Sequence, residues 1–494
     1  MFRNLLIVTV VTLASTGAIV SAEVVDMQAG QFAVLAGKKV EIGSGASITG
    51  NVGSISSDID LSSGVTIYGD LFAGDDLLIS KNSAIHGDAI SGEYTSLGSG
   101  VSIGRIDAGA RRSNRNYQIT AGAGSSIGAM YSTGAVSLGS GVQVNGDTSA
   151  AKFSAGSKLI YTGRITSADN VTLGVETMLT GQIHAAHDVK IGDDSTVNGG
   201  VYASHKLTLG KRASAGALHG KDVTLSYDAS SGSVFASRNA KIDKGGTVSG
   251  SVNAGDDAEL KKDSSVSGDV TYGHKLHKDK AASVSGTTAK GAAAAPTAPD
   301  TTLTAPRDFA TSLRLAPTFA SGGSDVKIKA NRTASLSAGT YKKLTVEEGA
   351  KLTLTAGTYN FSDVLLGKSV RLTADTSAGA IVINSADDFK IDEGGIVVRF
   401  GAGEIIVSSG DDMDFGKDVS VVGDYRAYDD FSADNNFAIA GRAYARENLT
   451  LGGGATIFTG DSASVTPEPG TLILLAVGAV GVVSRRRRRK CAAA

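Results

Sequence analysis

Apolar residues recur through residues 40–286 in pairs that lie two positions apart, such as Val171 with Leu173 and Val189 with Ile191. A spacing of two is the period of a β-strand, in which successive side chains point to opposite faces. Short glycine-containing or polar segments separate the pairs. The pattern therefore predicts many short strands and disfavours an array of amphipathic helices.

A repeat of about 18 residues organises these strands. Each repeat contains a glycine that closes an "apolar-x-Gly" step, and we call these residues the anchor glycines. Eleven of the thirteen intervals between them are 17 to 19 residues long. The anchor glycines are Gly50, Gly69, Gly87, Gly104, Gly128, Gly146, Gly163, Gly181, Gly199, Gly216, Gly232, Gly250, Gly268 and Gly286. A fixed interval of this size predicts a solenoid with about three short strands in each turn.

The predicted fold class is all-β: a triangular parallel β-helix of about 14 rungs, in which backbone groups pair from rung to rung. Proline cannot donate to such a ladder, and no proline precedes Pro296. A right-handed coil is favoured. A left-handed hexapeptide helix is the open alternative, because Leu173, Leu179, Ala185 and Ile191 also fit a period of six.

Two phrases, Ser265-Val266-Ser267-Gly268-Asp269-Val270 and Thr66-Ile67-Tyr68-Gly69-Asp70-Leu71, carry a family resemblance. They resemble the bactofilins, polymer-forming bacterial proteins with a triangular right-handed β-helix of similar rung length. The resemblance implies the fold of this segment. Bactofilins are cytoplasmic and usually have fewer rungs, so it does not imply their cytoskeletal role.

The chain is predicted to have five parts. Residues 1–22 form a signal peptide, 23–286 the β-helix with an N-terminal cap, and 287–306 an Ala/Pro linker that acts as a semi-rigid spacer. Residues 307–460 form a second β-solenoid-like domain, with a β-sandwich as the alternative, and 461–494 form a sorting tail. The second solenoid is predicted because Leu336–Tyr341 (Leu-Ser-Ala-Gly-Thr-Tyr) recurs 18 residues later with one change.

The N-terminus has the three regions of a secretory signal peptide. Arg3 gives the positive start, an apolar run follows, and the small residues before Ala22 predict cleavage between Ala22 and Glu23.

The C-terminus combines Pro467, Glu468 and Pro469 with an apolar run over 472–483 and a basic cluster of Arg485, Arg486, Arg487, Arg488 and Arg489. This order resembles the PEP-CTERM sorting signal of Gram-negative bacteria. The resemblance implies an exosortase-like membrane protease as partner, a transient C-terminal transmembrane anchor, and delivery to the cell surface or extracellular matrix. Both terminal apolar segments are predicted to be helical. The C-terminal run of about 12 residues is short for a bilayer core of about 30 Å.

Composition and net charge exclude several classes of protein and partner. A single Cys excludes an internal disulfide scaffold, and six Pro residues exclude collagen. The formal net charge of −2 becomes about −9 or −8 once both terminal signals are removed, since Lys plus Arg falls from 47 to 40 against 49 or 48 acidic residues. That charge argues against a nucleic-acid partner and suits a hydrated matrix protein.

Candidate metal-binding residues lie at the corners. His187 and His205 each follow an anchor glycine by six residues, so they are predicted to stack on adjacent rungs about 5 Å apart. His274 has the same offset, and the other weak pairs are His184 with His187 and His274 with His277. Asp75, Asp169, Arg238 and Asp256 share that offset, which favours a solvated polar corner over a metal site. No cofactor is predicted.

Acidic pairs and one arginine-rich segment complete the candidates. Stacked carboxylates could recruit Ca²⁺ weakly, and solubility is the plainer interpretation. The pairs are Asp75-Asp76, Asp193-Asp194, Asp256-Asp257, Asp387-Asp388, Asp411-Asp412 and Asp429-Asp430. The longest interval contains Arg111, Arg112 and Arg115, a surface insertion that could bind anionic polysaccharide.

The sequence thus predicts a non-enzymatic exported structural or adhesive protein of the cell surface or extracellular polysaccharide matrix, with self-association and polysaccharide binding as open expectations. No catalytic residue is predicted, because the turns are short and no nucleophile elbow, phosphate loop or zinc motif is present. The alternative is a β-helical polysaccharide-modifying enzyme, a lyase or hydrolase.

Overall fold

The computed structural model describes residues 24–26, 28–109, 119–291, 293–311, 313 and 322–459. The chain divides into two compact units. The first contains Met1–Phe32, Gly37–Gly45 and Gly50–Ser312, and the second contains Ala33–Ala36, Ala46–Thr49 and Leu313–Ala494. The predicted signal peptide, its cleavage site, the terminal helices, the sorting tail and the arginine-rich insertion lie outside the described residues.

Strands dominate both units. The one helical segment among the described residues is a single 3-10 turn, Ala29–Gln31. In that part of the chain, no helix has the length and apolar character needed to cross a membrane.

A typical turn of the first unit has three short strands. The first strands are Val40–Ile42, Ile59–Leu61, Leu77–Ile79, Thr95–Leu97, Ile119–Ala121, Ala135–Leu138, Lys152–Ala155, Val171–Leu173, Val189–Ile191, Lys206–Leu209, Ala258–Leu260 and Leu276–Lys278. The second strands are Thr66–Tyr68, Ala84–Ile85, Gln143–Val144, Ile160–Thr162, Met178–Thr180, Thr196–Val197, Ser214–Ala215, Ser230–Ser231, Thr247–Val248, Ser265–Val266 and Ser283–Val284. The third strands are Asn51–Ser54, Leu71–Ala73, Ala89–Ser91, Thr148–Ala150, Ile165–Ser167, Ile183–Ala185, Val201–Ala203, Val252–Ala254, Val270–Tyr272 and Thr288–Lys290.

Four longer strands of the first unit pass through a corner without a break. Ser102–Ala108 and Ser126–Ser132 join a second to a third strand, and Leu218–Leu225 and Val234–Ile242 join a third strand to the first strand of the next turn. A separate parallel pair, Val24–Asp26 with Asp308–Ala310, also lies in this unit.

Strands pair in parallel with their equivalents one turn away, as Val171–Leu173 does with Val189–Ile191. The outer two residues of a typical strand point inward, and Val171 and Leu173 are both buried. The middle residue of the strand points outward, as Thr172 does. The parallel β-solenoid that the two-residue period predicted is therefore confirmed.

The anchor glycines stack directly on one another between the second and third strands. A Cβ built on Gly163 would lie 2.5 Å from the carbonyl oxygen of Gly146, and one on Gly216 would lie 2.6 Å from that of Gly199. Real Cβ atoms do not approach backbone oxygens so closely. The repeat glycine is thus required by the close approach of successive turns at this corner.

The second unit repeats the parallel coil. Its first strands are Val326–Ile328, Lys343–Val346, Asp363–Leu366, Phe389–Ile391, Met413–Phe415, Phe431–Ala433 and Leu449–Leu451. The second strands are Thr333–Leu336, Lys351–Thr355, Arg371–Asp375, Ile396–Phe400 and Thr456–Phe458, and the third are Gly339–Thr340, Gly357–Phe361, Ile381–Ser385 and Ile405–Ser409. Ser420–Ala427 and Ala438–Ala445 each join a second to a third strand.

Two early segments of the chain complete the second unit. Ser47–Thr49 pairs with Thr456–Phe458, and Val34, Leu35 and Ala36 of the strand Phe32–Ala36 pair with residues 443–445. Counted over the described residues of both units, the parallel coil makes about 23 turns. The predicted count of about 14 rungs, made for residues 23–286 alone, is not confirmed. Parallel pairing throughout also removes the β-sandwich alternative for this segment.

The repeat seen in the second unit is shifted from the predicted one. Leu336 pairs with Leu354, as the 18-residue recurrence predicted, but Gly339 pairs with Tyr359 rather than Gly357. The ring of Tyr341 accordingly stacks on Phe361, at 5.5 Å between centroids. Two extra residues at the corner shift the register, so equal sequence phrases do not occupy equal positions.

Candidate functional site

One corner of the coil, between the third strand of a turn and the first strand of the next, carries most of the acidic pairs. Asp75-Asp76 and Asp256-Asp257 occupy this corner in the first unit, and Asp387-Asp388, Asp411-Asp412 and Asp429-Asp430 occupy the corresponding corner of the second. We call these the acidic corners. Their side chains range from partly to fully exposed, as the prediction of a solvated polar corner requires.

The second residue of four of these five pairs, Asp76, Asp257, Asp412 and Asp430, accepts a backbone N–H from the next turn. Oδ1 of Asp76 accepts the backbone N–H of Tyr94 at 3.2 Å, and Oδ1 of Asp257 accepts that of Lys275 at 3.0 Å. In the second unit, Oδ1 of Asp412 accepts the N–H of Asp430 at 3.1 Å. A short side chain with an acceptor oxygen satisfies a corner N–H that the strand ladder does not reach.

Three groups of side chains in the acidic corners bring potential metal ligands within 4.8 Å of one another. They are Asp75 with Asp76 and Glu93, Asp256 with Asp257 and His274, and Asp411 with Asp412 and Asp429. Ca²⁺ takes six to eight oxygens, and each group offers three ligands, one of which already accepts a backbone N–H. The geometry allows weak, largely hydrated cation binding at most, and calcium binding stays a prediction.

The corner of the second unit concentrates negative charge over consecutive turns. Burial, followed by repulsion from Asp412 and Asp388, raises the pKa of Asp411. Burial, followed by repulsion from Asp430 and Glu447, raises the pKa of Asp429. Stacking at the rung spacing thus places carboxylates close enough to oppose each other's ionisation.

The exposed His187 and His205 lie on adjacent turns as predicted, with their rings edge to face. The rings of His187 and His205 lie 4.9 Å apart between centroids. His274 Nδ1 lies 3.1 Å from Oδ1 of Asp257, and His277 sits on a strand that pairs with the strand of Glu259. Within the described part of the chain, the groups of three or more potential ligands include neither His187 nor His205.

The predicted linker packs against the first unit. Residues 288–290 are a strand, and residues 293–307, which we call the return strap, then run back along the third strands. The N–H of Thr297 donates to Nδ1 of His219 at 3.0 Å, and that of Asp300 donates to Nδ1 of His184 at 2.9 Å. The N–H of Thr304 donates to Oγ of Ser149 at 2.8 Å. The spacing of Thr297 and Asp300 along the strap matches the spacing of the two histidines on the coil. Three extended residues span about the same distance as two rungs of 4.8 Å.

A buried carboxylate anchors the far end of the return strap. Asp107 is fully buried and accepts the N–H of Arg307 at 2.9 Å and its Nε–H at 2.9 Å. Arg105 donates to the same carboxylate at 2.7 and 2.8 Å, and Arg307 also reaches Asp88 at 2.7 Å. Asp107 and Asp88 together therefore match the charges of Arg105 and Arg307, and Asp107 fixes the strap beside the parallel pair Val24–Asp26 and Asp308–Ala310.

Sequence reasoning missed the strap contacts. Asp107, Ser149, His184 and His219 are middle residues of third strands, so the alternation predicts that they face solvent. They are buried because residues more than 75 positions away in sequence cover them. No periodic signal connects such distant positions.

Comparison with known protein families identifies a motif near the C-terminus. A family model for the PEP-CTERM protein-sorting motif matches residues 465–489. The chain carries a PEP-CTERM sorting signal. It includes Pro467, Glu468, Pro469 and the arginine cluster that the sequence singled out. The signal implies an exported protein processed by exosortase, a membrane protein. No curated protein matches the chain, and the bactofilin resemblance stays a prediction.

Proposed function

We propose that this protein is a non-enzymatic structural or adhesive component of the cell surface or extracellular polysaccharide matrix. Exosortase-type processing releases it there after a transient stage in which the segment over 472–483 anchors it in the membrane. The observation that carries the proposal is the PEP-CTERM sorting signal at 465–489 on a chain whose described residues form repeated parallel β-solenoid turns.

The solenoid suits a mechanical role. Each turn pairs through its backbone with the next, so force along the coil is shared by many equivalent hydrogen bonds. The charged and polar outward residues keep the surface hydrated, and the net negative charge after processing fits a gel of polysaccharide and divalent cations. We expect a right-handed, bactofilin-like coil, and further copies of the chain or extracellular polysaccharide as its partners.

The sorting part of the proposal is tested in the native host by replacing Pro467, Glu468 and Pro469 with Ala. The matched control is Ser462→Ala with Ser464→Ala, just upstream of the motif. We expect wild type and control in the extracellular fraction, with intact mass showing loss of the arginine cluster. The triple variant should remain in the membrane fraction with its tail attached. Equal release of the triple variant would refute exosortase sorting.

The enzymatic alternative is tested separately on purified protein. Isolated matrix polysaccharide is incubated with the full chain, and new reducing ends and unsaturated uronates are measured. We expect no release above buffer, whereas co-sedimentation of the protein with the same polysaccharide supports the adhesive role. Catalytic release of either product would replace the structural proposal with a hydrolase or a lyase.

A further inference from the structure

Two imidazoles hold the first half of the return strap, and both act as hydrogen-bond acceptors. Nδ1 of His219 accepts from Thr297, and Nδ1 of His184 accepts from Asp300. A ring nitrogen can accept only when it carries no proton. Nε2 of His184 lies 3.2 Å from Oε1 of Gln182, which an Nε2–H tautomer satisfies. The bonds to the strap therefore require neutral histidines.

The surroundings of both rings favour that neutral state. His184 stacks on Tyr202 at 4.6 Å, and His219 lies between Tyr202 at 4.7 Å and Phe235 at 4.6 Å. Each histidine is 7% exposed. Burial lowers the pKa of both rings, and it is the single cause for His219.

The two charged groups that face His184 have opposite effects on its pKa. Arg164, on the corner of the coil, lowers its pKa, whereas Asp300 of the strap raises it, and these two side chains lie 3.5 Å apart as an ion pair. The net direction for His184 is downward, with burial as the largest cause.

The second half of the strap is held by groups of a different kind. Thr304 donates to a serine hydroxyl, and Arg307 donates to the Asp107 and Asp88 carboxylates. The hydroxyl does not titrate, and Arg keeps its charge at every accessible pH. Mild acid therefore breaks the hydrogen bonds that Thr297 and Asp300 donate to the histidines. It leaves the hydrogen bonds of Thr304 and Arg307 intact.

We propose that residues 293–303 form an acid-released latch, in which protonation of His184 and His219 frees this part of the strap while Thr304–Arg307 stay attached. A protonated Nδ1 carries a hydrogen that faces the strap N–H, so the attraction becomes a repulsion. Release uncovers the aromatic column of His184, Tyr202, His219 and Phe235 along the third strands.

The pH range follows from linkage. Because burial lowers the pKa of the latched rings, the open state binds protons more readily than the closed one. The latch is at full strength above the free histidine pKa of about 6.5 and weakens as the pH falls below it. Between pH 7.5 and 5.5 the opening equilibrium rises by up to about tenfold for each histidine.

Hydrogen exchange of the full-length protein followed by mass spectrometry tests the latch, with rates divided by the intrinsic chemical rate at each pH. We expect peptides over 296–303 to exchange up to about a hundredfold faster at pH 5.5 than at pH 7.5 when both histidines contribute. Peptides over 304–310 and over the strand Val171–Leu173 should not change. An equal strap rate at both pH values would overturn the proposal.

Variants assign the effect to the two histidines. His184→Asn with His219→Asn keeps a side-chain oxygen acceptor and removes titration, so the strap should stay protected at both pH values. His184→Ala with His219→Ala should expose it at both. The matched control His277→Asn changes an exposed histidine away from the strap and should keep the wild-type response. A wild-type pH response in the double Asn variant, or wild-type protection in the double Ala variant at pH 7.5, would refute the latch.

Discussion

The anchor glycine column makes a quantitative prediction at Gly163. Its φ is +136°, and an added Cβ would lie 2.5 Å from the carbonyl oxygen and 2.7 Å from the carbonyl carbon of Gly146. Relief requires the two turns to separate by about 1 Å, since nonbonded heavy atoms pack at about 3.5–4.0 Å. Separation by this amount breaks the local ladder of hydrogen bonds.

The expected cost of Gly163→Ala combines two effects. Overpacking against rigid backbone costs about 1–3 kcal/mol, and an L-residue in this backbone region costs about 1–3 kcal/mol more. We expect a loss of at least about 3 kcal/mol. Gly124→Ala, at φ +69° with no atom within 4 Å, should lose only about 1–2 kcal/mol. Gly30→Ala, with open space and no positive φ, should change stability by less than about 0.5 kcal/mol.

The assay is urea denaturation followed by circular dichroism, with hydrogen exchange of the flanking strands Thr148–Ala150 and Ile165–Ser167. A solenoid can lose turns locally, so exchange shows whether the damage stays near the substituted corner. Gly30→Ala should be the most stable of the three variants, Gly124→Ala should be intermediate, and Gly163→Ala should be the least stable. If Gly163→Ala were as stable as Gly124→Ala, close stacking of the turns would not be the reason for the repeat glycine.

Three further predictions concern buried or clustered side chains. Asp107→Ala should lose about 2–4 kcal/mol of local stability, because Arg307 keeps a half-buried charge without its main acceptor, and hydrogen exchange over 304–310 should rise. Constant protection there would contradict this role. Tyr425→Phe should increase the free energy of unfolding by about 1 kcal/mol and so raise the melting temperature, because the buried hydroxyl has no hydrogen-bond partner among the described residues. A lower melting temperature would show that the hydroxyl has a partner after all. Asp411→Asn should raise the urea midpoint at pH 7, because burial and its neighbour Asp412 raise the pKa of Asp411 and the ionised form opposes folding. That gain should vanish below about pH 3.8, where the unfolded carboxyl is also protonated, and a gain that persists at pH 3 would point to another cause.

The regular part of the fold was predictable because one physical constraint recurs in every turn. Gly163 and its equivalents must lack a Cβ, and the apolar residues two positions away, such as Tyr161 and Ile165, must fill the interior. Such constraints leave a period in the sequence. The placement of His187 beside His205 on adjacent turns followed from the same period.

The irregular part left no comparable signal. In the second unit Leu344 pairs with Val364 after 20 residues and Val364 pairs with Phe389 after 25, so corner insertions hide the repeat. The return strap depends on single hydrogen bonds between distant residues, such as Thr297 and His219. Its prolines correctly indicated an end to the ladder, but they carried no information about what the segment contacts.

The pairing of Ser47–Thr49 with Thr456–Phe458 has a consequence for biogenesis. The hydroxyl of Thr459 donates a hydrogen bond to the carbonyl oxygen of Thr49, which is synthesised 410 residues earlier. At a synthesis rate of about 5–20 residues per second, the early strands wait roughly 20–80 seconds for that partner. During this interval they present an unpaired strand edge, which is a template for wrong pairing. The edge of Ser47–Thr49 is therefore open to wrong pairing until residues 456–459 are available to cover it.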